Sequence, residues 1–70
     1  MMVEVPEEFL RRFVTDWASW MYENMGVKDV KTTTTQWCDE HGVTGELKEK
    51  IVGWARDGMP EFWQGRWEEL

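Results

Sequence analysis

The chain has 70 residues, with 8 basic and 14 acidic side chains giving a formal net charge of −6, six tryptophans and one cysteine. That length allows one domain whose core barely outweighs the conformational entropy of folding, and a lone cysteine rules out an internal disulfide. A negative field repels phosphate backbones and anionic membrane surfaces and favours basic protein surfaces, and no stretch approaches the roughly 18 apolar residues of a membrane span.

The N-terminal stretch MMVEVPEEF has neither the basic region nor the apolar run of a leader, so the chain is read as mature, soluble and cytoplasmic, one domain over residues 1–70. The first element, over 6–25, opens with Pro6 at a first helical position, with Glu7 and Glu8 at the positive end of the helix dipole. Leu10, Phe13, Val14, Trp17 and Met21 recur at three- and four-residue spacing, Phe9, Trp20 and Met25 widen the stripe, and Gly26 closes the helix. Glu7 with Arg11 and Glu8 with Arg12 are spaced as solvated i,i+4 pairs.

The stretch VKDVKTTTT is polar and β-branched, and it reads as a connector ending in a cap. Thr33 followed by Gln36 fits a capping box, which starts a short helix over 34–41 that stops at Gly42. Thr44 then suits an N-cap for a helix over 45–57 with Leu47, Ile51, Trp54 and Ala55 on one face, ended by Gly58. From Pro60 a last helix over 60–69 presents Phe62, Trp63, Trp67 and Leu70 as a stripe. The expected fold is therefore all-α, a small bundle of about four helices, with Leu10, Trp17, Ile51 and Trp54 in the core.

The fragment QWCDEHGVT, within residues 33–56, resembles the first half of the helix-turn-helix shape of many repressors and transposases: Cys38 is the small buried residue four positions before the turn glycine Gly42, and Val43 tucks under the turn. The resemblance implies a tri-helical middle and, in its DNA-reading form, contacts from Lys48, Lys50 and Arg56. Two positions depart from the pattern. Leu47 comes one residue earlier than the usual first buried aliphatic, and Gly45 stands where a polar contact residue is usual.

Charge weighs against the DNA-reading form. Residues 28–56 carry five basic and five acidic side chains, and both flanks are net acidic, so no basic stripe is present. Catalysis and metals are also disfavoured. Cys38 and His41 at i,i+3 are the only candidates for nucleophile and base, with no third orienting group, and with Asp39 they give at most a fragment of a four-ligand zinc site. No cofactor cradle is present in the sequence, and the expected protein is not an enzyme.

The remaining reading is a small acidic protein-binding module, such as a phage-type inhibitor or modulator docking on a basic nucleic-acid-handling protein like a CRISPR effector or polymerase. The alternative is a helix-turn-helix transcriptional regulator or accessory factor. The candidate partner-binding residues are Glu61, Trp63, Trp67, Glu68 and Glu69, where apolar area and acid coincide near the C-terminal end. A basic protein or a second copy of the chain would cover them.

Overall fold

The computed structural model describes residues 6–70; residues 1–5, on which the reading of the leader region rests, lie outside it. Helix α1 runs over Glu7–Met25, α2 over Val27–Glu40, α3 over Gly45–Asp57 and the single turn α4 over Glu61–Gln64, followed by a 3₁₀ turn at Trp67–Glu69. All-α architecture is as expected, with no strand among the described residues. The three long helices all pack against one another, with the C-terminal turns lying against this bundle. No helix among the described residues is long and apolar enough to cross a membrane.

The largest correction concerns the second helix. It begins at Val27, so the segment expected to be a connector is helical, and Thr33 makes no side-chain cap. Val27, Val30, Thr34 and Cys38 follow one another at three- and four-residue spacing and are all buried, three of them essentially completely. Intrinsic penalties of a few tenths of a kcal/mol for each β-branched residue are outweighed by burying this face. Thr35 also returns its hydroxyl to the Lys31 carbonyl (2.9 Å), which removes its competition with the helix. A single residue, Gly26, joins α1 to α2 at φ 97° and ψ 164°, a region open to glycine alone, while its N–H still donates to the Tyr22 carbonyl (3.0 Å).

The C-terminal segment is the second correction. Instead of one helix over 60–69, α4 stops at Gln64 and the chain turns before Trp67. Gln64 folds back to donate to the Met59 carbonyl (2.8 Å). The Lys31 ammonium donates to the carbonyls of Trp67 (2.9 Å) and Leu70 (3.1 Å), tying the segment to α2. The break turns Trp67 inward, where it is 3% exposed.

Val14, Ala18 and Met21 of α1, Ile51 and Ala55 of α3, Met59 and Trp67 complete the core with the buried face of α2. Of the four core positions expected from sequence, Ile51 is buried, while Leu10, Trp17 and Trp54 pack against the core only half-buried. Leu47, expected on the same face as Ile51, is exposed. Glu7 pairs with Lys50 of α3 (2.9 Å) rather than with Arg11. Thr44 sits at the N-cap position of α3 without a side-chain cap bond, and Gly45 enters the helix at φ 62°, which accounts for glycine where the helix-turn-helix pattern prefers a polar residue.

Thr34 is 1% exposed and its Oγ1 has no hydrogen-bond partner. A buried hydroxyl without a partner carries a desolvation cost of about 1–3 kcal/mol, and valine has nearly the same shape. Thr34→Val is therefore expected to raise the thermal midpoint by several degrees, about 4–8 °C for each kcal/mol gained in a domain of this size. A lowered midpoint in calorimetry would show that the hydroxyl is satisfied in solution.

Candidate functional site

Helix α1 carries two apolar stripes. Val14, Ala18 and Met21 face the core, and at 100° per residue Leu10, Phe13, Trp17 and Trp20 lie about a quarter-turn away at 3-4-3 spacing. Phe9 extends this second stripe. The core occupies only the first of them, so Phe9, Phe13 and Trp20 remain about 60% exposed.

Between this stripe and α2 lies an apolar trough of about 360 Å³. Leu10, Phe13 and Trp17 form one wall, Trp37 of α2 the other, and Val14, Thr34 and Ile51 the floor. The Trp37 wall is held in place by His41, whose ring stacks on the indole at 4.5 Å between centroids and 22° between planes. The Nδ1 of His41 lies 2.8 Å from the Trp37 carbonyl. Trp37 itself remains 44% exposed.

The trough's lining holds no charged side chain. Asp16 and Glu23 of α1 and Asp29 and Glu40 of α2 lie farther round their helices than its walls, Asp16 on a surface with Arg11 and Arg12 and Glu23 in the cleft with Lys28 and Trp63. All four carboxylates are exposed and in no ion pair among the described residues. Lys28 and Lys31 lie on the opposite side of α2.

The candidate residues at the C-terminal end do not form one patch. Glu61, Glu68 and Glu69 are exposed, whereas Trp67 belongs to the core beside Lys31 and Trp63 is half-buried in a cleft with Tyr22, Met25 and Val27. The candidate DNA contacts are each taken by an acid. Lys48 binds Asp39 (2.6 Å), Lys50 binds Glu7 (2.9 Å) and approaches Glu46 (3.8 Å), and Arg56 lies 4.0 Å from Asp57. The hydrogen bond from Lys50 to Glu7 holds its ammonium above the usual lysine range.

Cys38 and His41 are divided between interior and surface. The thiol is fully buried, and burial pushes its pKa up, with Lys48 opposing and Asp39 adding to the shift, which leaves it a poor nucleophile. His41 is exposed against Trp37. Among the described residues, no group of three or more His, Cys, Asp or Glu side chains is placed to hold a metal ion.

The width of the α1 stripe is the sequence signal for the trough, although it does not locate it. Phe9, Leu10, Phe13, Trp17 and Trp20 together with Val14, Ala18 and Met21 cover about half the circumference of α1, well beyond the roughly 100° stripe that one core requires. No protein-family model, no curated protein and no solved structure matches this chain.

Proposed function

We propose that the protein is a small cytoplasmic, non-enzymatic binding module that docks on the basic surface of a nucleic-acid-handling protein, as a phage-type inhibitor or modulator would. The observation that carries this reading is the apolar trough with Phe9, Phe13 and Trp20 exposed along it, since large aromatic side chains left exposed beside a groove are characteristic of interfaces. Glu61, Glu68 and Glu69 add an exposed acidic surface to a chain of net charge −6, suited to long-range steering rather than to anchoring. The DNA-reading alternative gains no support from α3, whose cations are engaged with acids and whose exposed face also carries Glu46 and Glu49.

Affinity capture from a lysate of the native host tests the reading, with wild-type protein and Phe13→Asp as parallel baits. Phe13 is 62% exposed, so the substitution leaves the core intact, which circular dichroism verifies. The wild-type bait is expected to retain a basic nucleic-acid-handling protein, and the Phe13→Asp bait about a tenth as much or less. Reversing Glu61, Glu68 and Glu69 to lysine is expected to slow association and to leave dissociation nearly unchanged. Equal capture by both baits would remove the trough from the function.

A further inference from the structure

We draw no further inference here: the strongest candidate, the apolar trough between α1 and α2 with Phe9, Phe13 and Trp20 exposed along it, carries none, because its lining holds no charged side chain and nothing in the structure shows what covers it.

Discussion

Trp67→Ala is expected to remove most of the protein's stability. Trp67 is 3% exposed and closes the bundle from the C-terminal side, and truncating a buried tryptophan costs about 3–5 kcal/mol. At roughly 0.05–0.15 kcal/mol per residue, a chain of this size has only about 3.5–10 kcal/mol in total. The loss also spreads. Lys31 anchors the C-terminal segment through the Trp67 and Leu70 carbonyls, and without the indole those two hydrogen bonds hold a segment that no longer packs.

Trp17→Ala provides the contrast. That side chain is half-buried in the trough wall, so its truncation is expected to cost about half as much, because a good part of its surface is already in water. Urea denaturation of the two variants ranks them directly. A Trp67→Ala protein that unfolds cooperatively within about 1 kcal/mol of the wild type would show that the C-terminal turn is not part of the core.

The difference between these two tryptophans marks where the sequence is legible. Helical periodicity places both on apolar stripes, and it correctly sets the limits of α1 and α3 within a residue. It does not say which stripe meets the core. On α1 the choice between Val14, Ala18 and Met21 and the larger Leu10, Phe13, Trp17 and Trp20 is made by close packing. Alanines at 0% exposure, Ala18 on α1 and Ala55 on α3, bring the helices together, and the bulky aromatics are left at the side. Hydrophobicity alone does not separate the two, so the expected stripe of α1 mixes Val14 and Met21, which are buried, with Leu10, Phe13 and Trp17, which are not.

The threonine run of α2 was illegible for a related reason. Its local propensity is weak, and its helix is decided by Val27, Val30, Thr34 and Cys38 meeting partners far away in sequence. The C-terminal break depends on the ammonium of Lys31, 36 residues from Trp67, a contact that no local pattern encodes. The acidic surface at the C-terminal end, by contrast, was legible from charge alone. The trough between α1 and α2 depends on which faces of the two helices meet, which no local pattern states.

The same close packing sets up a pair of glycine substitutions with opposite expected signs. Gly53 lies inside α3 with nothing within 4 Å of the place a Cβ would occupy. Gly53→Ala is therefore expected to stabilise the protein by about 0.5–1 kcal/mol through helix propensity and a more restricted unfolded chain. Gly58 has an ordinary right-handed backbone conformation, φ −78° and ψ −5°, so local geometry alone predicts the same gain. Its surroundings reverse the sign. A Cβ there would stand 2.7 Å from the Thr15 carbonyl oxygen and 3.4 Å from the Ala18 Cβ, and the nearer atom is backbone that cannot swing aside. Accommodating it means moving α1 off α3, which costs about 1–3 kcal/mol. Thermal melts of the two variants should shift in opposite directions, and a shift of the same sign would show that α1 and α3 do not approach this closely. Because Leu10, Phe13 and Trp17 ride on α1 while Ile51 of α3 lies on the floor, the displacement that relieves Gly58→Ala also alters the trough. Phe13-dependent capture of the partner is expected to weaken in that variant and to persist in Gly53→Ala.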